Sequence, residues 1–193
     1  IRDVAVTGVQ TCALPIWGGM AYIIMDARDF GFELKPDEAR DICNLGEKIK
    51  IAAAEQIPAV HPVNPDFPGI TIAEFTLPPE RIDGVLTAKN TVVVSPGRLD
   101  RSPCGTGTSA RMAVMHARGE LAVGERFVHK SIIDSTFDCR IEQTTTVGDK
   151  PAIVPSVAGQ AWITDISTVV LDPTDPYPLG YQISDTYPLG YSL

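Results

Sequence analysis

The sequence predicts an α/β protein of the α+β kind, with a mostly antiparallel sheet around one central helix. Three observations carry that expectation. Short β-branched or alternating runs recur along the chain. One long segment, Pro36 to Gln56, repeats apolar residues at helical spacing. A second helical pattern, ending at Gly119, comes directly after a turn rich in glycine and threonine. With 193 residues and 44% hydrophobic content, the chain is long enough for one domain and part of a second.

Residues 1–16 fit poorly with the remainder of the chain. Val6 to Ile16 reads Val-Thr-Gly-Val-Gln-Thr-Cys-Ala-Leu-Pro-Ile and resembles the translation of a common sequencing adapter. A non-native leader is expected there, which would leave Cys12 without function; the alternative is an ordinary strand. Met20 to Asp26 is a strand entered through Gly18-Gly19. In the segment from Pro36 to Gln56, Pro36 fits a first helical turn, and Asp37 and Glu38 suit its positive end. Ala39, Ile42, Cys43, Gly46, Ile49 and Ala53 then form one apolar face, which puts Cys43 in the core.

Ile57 to Pro68 is rich in proline, includes His61, and should be a loop. Ile70 to Thr76 alternates apolar and polar residues and should be a strand. A short polar turn leads to a strand over Thr91 to Val94 and the turn Ser95-Pro96-Gly97. Beyond Gly119, Glu125 to Lys130 forms one strand. In Ser131 to Thr145, Phe137, Cys139 and Ile141 alternate with Asp138, Arg140 and Glu142, as in an antiparallel hairpin. Cys139 therefore faces a core, and His116 and His129 read as packing or surface residues. Pro151 to Val157 and Gln160 to Val170 supply two more strands. In the tail, Asp175 to Tyr181 is nearly repeated as Asp185 to Tyr191; two copies are too few for a solenoid, so an extended segment is expected.

The chemistry concentrates in Asp100 to Ala110, Asp-Arg-Ser-Pro-Cys-Gly-Thr-Gly-Thr-Ser-Ala. Cys104 should lie in a loop that opens a helix, where the first backbone N–H groups lack internal partners and carry partial positive charge. A thiol there is expected to have its pKa lowered towards neutrality. Gly105 and Gly107 lack a Cβ, so their amides can approach a ligand closely. Thr106, Thr108 and Ser109 add hydroxyls, giving a cradle suited to a carboxylate or phosphate. Asp100, four residues before the thiol, can face a cationic group. A thiolate, an anion cradle and a carboxylate together suit an amino or imino acid. No lysine follows the second glycine, so this is not a phosphate-binding Walker loop.

Composition narrows the partners. A formal net charge of -8 argues against nucleic acid, and no apolar run is long enough to cross a bilayer. The cysteines at 12, 43, 104 and 139 show no zinc-type pairing, so no metal is implied. Free thiols make a reducing cytoplasm the expected location.

Asp100 to Ala110 closely resembles the second catalytic motif of the proline racemase family, which includes hydroxyproline epimerases and 3-hydroxyproline dehydratases. The likeness extends from about Trp17-Gly18-Gly19 to Asp172-Pro173-Thr174-Asp175-Pro176. The resemblance implies a diaminopimelate epimerase-like fold of two similar halves, with residues 17–160 as the second lobe. Residues 161–193 would be a strand and an extended tail directed to the first lobe. It implies no cofactor (neither pyridoxal phosphate nor metal), a proline or hydroxyproline substrate, and room for a homodimer. Each half would bring one reactive residue to the cleft from a helix N-terminus. Cys104 is then one of the pair, with Asp100 at the ring nitrogen and the amides of Gly105 and Thr106 at the carboxylate.

The family's first motif, of Cys-Gly-His type, is absent and would lie upstream of Trp17, so the chain is expected to be inactive alone. A cysteine there would make the parent a racemase or epimerase, and a serine would make it a trans-3-hydroxy-L-proline dehydratase. Two other classes stay open: a non-catalytic anion- or nucleotide-binding domain using Gly105 to Thr108, and a thiol hydrolase, for which no histidine partner stands out.

Overall fold

A computed structural model describes residues 16–17 and 20–181. Its strands are β1 (Ile16–Trp17), β2 (Met20–Asp26), β3 (Ile70–Thr76), β4 (Glu80–Ile82), β5 (Val85–Val94), β6 (Arg98–Leu99), β7 (Arg126–Lys130), β8 (Thr136–Val147) and β9 (Lys150–Ala158). Its helices are α1 (Ala39–Gln56) and α2 (Gly105–Ala117). The strands form a nine-stranded sheet in the order β1-β2-β3-β5-β7-β8-β9, with β4 and β6 paired to β5. Among the described residues, only β2–β3 and β5–β7 are parallel. Parallel neighbours need a crossover, and α1 and α2 supply one each.

The two helices lie on opposite faces of the sheet. Neighbouring strand residues point to opposite sides, and a Cβ on Gly46 of α1 would meet Val93 and Phe75, whereas one on Gly107 of α2 would meet Val92 and Glu74. The α1 side holds Ile23, Met25, Ile42, Ile49, Ala73, Phe75 and Val93 in one apolar cluster, with Phe30 and Phe32 edge-on to Phe75. Burying each large apolar side chain contributes about 1.5–3 kcal/mol over leaving it in water. Contacts from α2 reach both β2 and β9, so the sheet wraps around this helix, the central one expected. Met112, Met115, Leu121, Phe127, Cys139 and Ile141 pack on one side of α2; Tyr22, Ile24, Ile72, Val92 and Ala110 pack on another.

The strand over Met20–Asp26, the strand over Ile70–Thr76 and the long helix sit where the pattern puts them. Pro36 to Glu38 form a 3-10 turn at the entry to α1. Cys43 is only half-buried, so it is not a full member of the core. The polar turn expected before Thr91 is instead a hairpin, because Asp83-Gly84, both at positive φ, turns β4 into the first half of β5. Gly119, at φ 73, ends α2 as expected.

One strand is corrected. Gln160–Val170 forms no strand: the β9 strand ends at Ala158, and the apolar residues beyond it find no ladder partner. Trp162, Ile163, Ile166 and Val169 stay largely exposed. The backbone divides after Gln160 into two units. Within the second, Asp172 and Asp175 accept hydrogen bonds from the backbone N–H groups of Thr174 and Tyr177, closing two short turns. The leader up to residue 15, the Gly18-Gly19 pair and the second tail repeat lie outside the described residues.

Candidate active site

The loop Asp100 to Cys104 is built to deliver one sulfur to the start of α2. Asp100 Oδ1 accepts from the Ser102 N–H and hydroxyl, both at 2.9 Å, and Ser102 Oγ in turn accepts from the Cys104 N–H at 3.0 Å. Cys104 is the N-cap residue and has φ 63, a left-handed conformation in which a non-glycine side chain costs about 1–3 kcal/mol. That conformation folds the side chain back over its own helix: Sγ accepts from the Gly107 N–H at 3.4 Å. The Cys104 carbonyl meanwhile accepts the first intrahelical bond, from the Thr108 N–H at 2.8 Å. Among the described residues, the amides of Gly105 and Thr106 have no hydrogen-bond partner, as the opening of a helix leaves them.

Beneath this loop lies a buried polar truss. Asn90 Nδ2 donates both to Glu74 Oε1 (2.8 Å) and to the Pro103 carbonyl (2.9 Å). The Thr108 hydroxyl donates to the same carbonyl at 3.1 Å. With its proton so committed, Thr108 Oγ1 accepts from His129 Nδ1–H at 2.9 Å. His129 is neutral, because burial and the nearby Arg111 charge pull its pKa down to about 3. Glu74 is fully buried, and desolvation pushes it up to about 8 despite the Asn90 hydrogen bond and Arg111. Arg111 is itself buried, with no partner for Nε among the described residues.

The two motif glycines do different things. A Cβ on Gly105 would meet nothing within 4 Å, so a ligand can approach there. Gly107 is instead required for packing: a Cβ would lie 3.0 Å from Val92 and 3.3 Å from Glu74 Oε2. Its amide is committed to the Cys104 sulfur.

The expected acidification of Cys104 is not found. Burial raises the thiol pKa, with the Glu74 and Asp100 carboxyls adding to the rise; hydrogen bonds from Thr106 and Gly107 offset part of it. Desolvation of the sulfur thus outweighs the favourable amides at the helix mouth. The half-buried Asp100 is spent on Ser102 through Oδ1, an arrangement that shapes the loop. Three residues of the site, Tyr22, Glu74 and Asn90, do not stand out in the sequence. Glu74 reads as a solvent-facing position of an alternating strand, Asn90 falls in the stretch read as a polar turn, and Tyr22 sits in an apolar run. His129 is a buried part of the truss, more specific than a generic packing role.

Elsewhere, a cleft lined by Asp26, Thr76, Pro78, Arg111, Arg118 and Glu120 opens beside the C-terminal half of α2 and includes none of residues 100–107. Among the described residues, no group of His, Cys, Asp and Glu is arranged to hold a metal ion, and no helix is long and apolar enough to cross a membrane.

The α+β lobe that curls around α2 superimposes on solved enzymes of the racemase and epimerase class. The proline racemase family model matches residues 3–182, and the chain belongs to the proline racemase family. Among solved structures, a probable proline racemase from Agrobacterium radiobacter K84, with bound carbonate, is 36% identical and superimposes with a TM-score of 0.70; the match covers 87% of this chain and 48% of that one. A hydroxyproline epimerase from Agrobacterium vitis, with bound trans-4-hydroxy-L-proline, is 36% identical with a TM-score of 0.68, covering 87% of this chain and 47% of that one. The chain thus spans about half the length of these relatives.

Proposed function

We propose that this chain is the half of a proline racemase or hydroxyproline epimerase that carries Cys104 as one of two proton-transfer residues. The observation that carries the reading is the sulfur held at φ 63 over the mouth of α2, beside two amides that have no partner among the described residues. A Cα–H next to a carboxylate is a very weak acid, so charge developing on the carboxylate oxygens must be met by fixed donors. The Gly105 and Thr106 amides are such donors, and losing one donor of this kind typically costs about 3–4 kcal/mol of transition-state stabilisation.

Inversion needs a base on one face of Cα and an acid on the other. Cys104 rests protonated, since burial raises its pKa, and therefore serves as the acid that returns a proton to Cα. The base comes from a residue outside residues 17–181. In the reverse direction the roles exchange. The chain alone consequently lacks turnover. A dehydratase would use the same α-proton step and then expel a 3-hydroxyl; the likeness to a racemase and an epimerase supports the isomerase reading over it.

The test is alkylation of the purified chain at alkaline pH, read cysteine by cysteine by mass spectrometry. Pyrrole-2-carboxylate, a planar mimic of the deprotonated ring, should protect Cys104 and leave Cys43 and Cys139 unaffected. Protection by phosphate but not by pyrrole-2-carboxylate would favour a simple anion-binding domain and sink the proposal.

A further inference from the structure

The Cys104 sulfur does not face the helix amides alone. Tyr22, on β2 and fully buried, places its hydroxyl 2.5 Å from Thr106 Oγ1, and Thr106 Oγ1 lies 3.5 Å from Cys104 Sγ. The direct separation from the Tyr22 hydroxyl to Sγ is 3.9 Å, so the short path runs through Thr106. A hydroxyl carries one proton. If Thr106 gave its proton to Tyr22, the sulfur would lose a donor. If Tyr22 donates to Thr106, the Thr106 proton is directed to the sulfur. Burial settles the preference whenever a thiolate forms: a negative sulfur in a desolvated site draws every available donor towards it.

We infer that Tyr22 is a positioning residue, acting through Thr106 to aim a hydroxyl proton at Cys104 and so stabilise the thiolate left when the sulfur gives up its proton. This inference rests on Cys104 being a proton-transfer residue. It assigns the Thr106 side chain to the sulfur, leaving its backbone amide for the substrate carboxylate. Cys104 is then held by the Gly107 N–H from within the helix and by the Thr106 hydroxyl from the side. Facing it from the other packed elements are Glu74 on β3 and Asp100 in the loop, both of which oppose the negative sulfur. The hydroxyl pair is the structure's counterweight to those carboxyls. Tyr22 is itself held neutral across the working range, since burial raises its pKa far above that of a free phenol, so it stays a donor.

The experiment measures the rate of Cys104 alkylation against pH in the intact chain, for the parent, Tyr22→Phe, Thr106→Val and Thr106→Ser. Phe keeps the ring that packs on Ile24, Ile72 and Val92, so thermal unfolding should be nearly unchanged. Below the midpoint, Tyr22→Phe should slow alkylation by roughly three- to tenfold and move the profile to higher pH. Thr106→Val should slow it at least as much, Thr106→Ser should restore it, and Tyr22→Phe should add nothing in the Thr106→Val background. A Tyr22→Phe profile that overlays the parent, or equal and independent losses from the two substitutions, would overturn the inference. Neither result touches the proton-transfer reading, which fails separately if pyrrole-2-carboxylate does not protect Cys104.

Discussion

The two faces of the sheet solve the same packing problem with opposite chemistry. On each face a helix glycine lets α-helix and β5 come together: Gly46 over Val93 and Phe75 on one side, Gly107 over Val92 and Glu74 on the other. The α1 face is mostly aliphatic and aromatic; its buried polar groups are few, with Thr91 beside Phe75 and Lys50 paired to Glu47. The α2 face buries Glu74, Asn90, Thr108, Arg111 and His129 beneath a strained cysteine. Polar burial costs free energy unless each group finds a partner, and here Glu74 Oε2, Asn90 Oδ1, Arg111 Nε and His129 Nε2 find none among the described residues. The contrast teaches that α1 is built for stability, and that the α2 face gives some of it up to fix the position of one sulfur.

Substitutions can break or sharpen that contrast. The largest effect should come from the apolar face: Phe75→Ala should cost about 3–5 kcal/mol in urea unfolding while leaving the pH profile of Cys104 alkylation in place. A shifted profile would mean that the two faces are coupled.

Next comes the titration of the polar face. Glu74 has a raised pKa in the fold, so its contribution to stability is complete below the ordinary carboxylate range and is lost as the pH climbs to about 8. His129 has a lowered pKa; its contribution is present above the ordinary histidine range and is lost as the pH falls towards 3. Glu74→Gln removes only the first, so the variant should gain about 1–3 kcal/mol on the parent between about pH 5 and pH 8. A stability gap that stays constant with pH would show that Glu74 does not titrate there.

The smallest effects should come from the glycines. Gly46→Ala should destabilise by about 1–2 kcal/mol, because its Cβ would fall 2.7 Å from Val93 Cγ2. Gly107→Ala should cost no more than that, yet slow Cys104 alkylation, since its new Cβ would press on Val92, Glu74 and the Cys104 Cβ. Equal alkylation in both variants would erase the distinction between the faces.

Much of this is readable in the sequence, and unevenly so. The α1 face is legible because Ile42, Gly46, Ile49 and Ala53 repeat at helical spacing and their burial comes directly from that period. The motif at Asp100 to Ala110 is legible as a helix opening with a cysteine at its cap. The truss is not. Glu74 and Thr76 alternate with apolar residues in β3 as solvent-facing positions would, but helices cover both sides of the strand and bury them. Tyr22 lies in an apolar run where only the fold reveals that its hydroxyl meets Thr106, which is 84 residues away. Gln160–Val170 fails for the converse reason: its apolar residues suit a strand, and pairing depends on a neighbouring edge that local pattern cannot supply.

The central claim is that an imino acid carboxylate is held at the open end of α2 beside Cys104. Titration of the isotopically labelled chain with pyrrole-2-carboxylate, monitored through amide chemical shifts, tests it most directly. The Gly105 and Thr106 amides should move most and together; saturable shifts confined to other regions, with these two amides unmoved, would contradict the account.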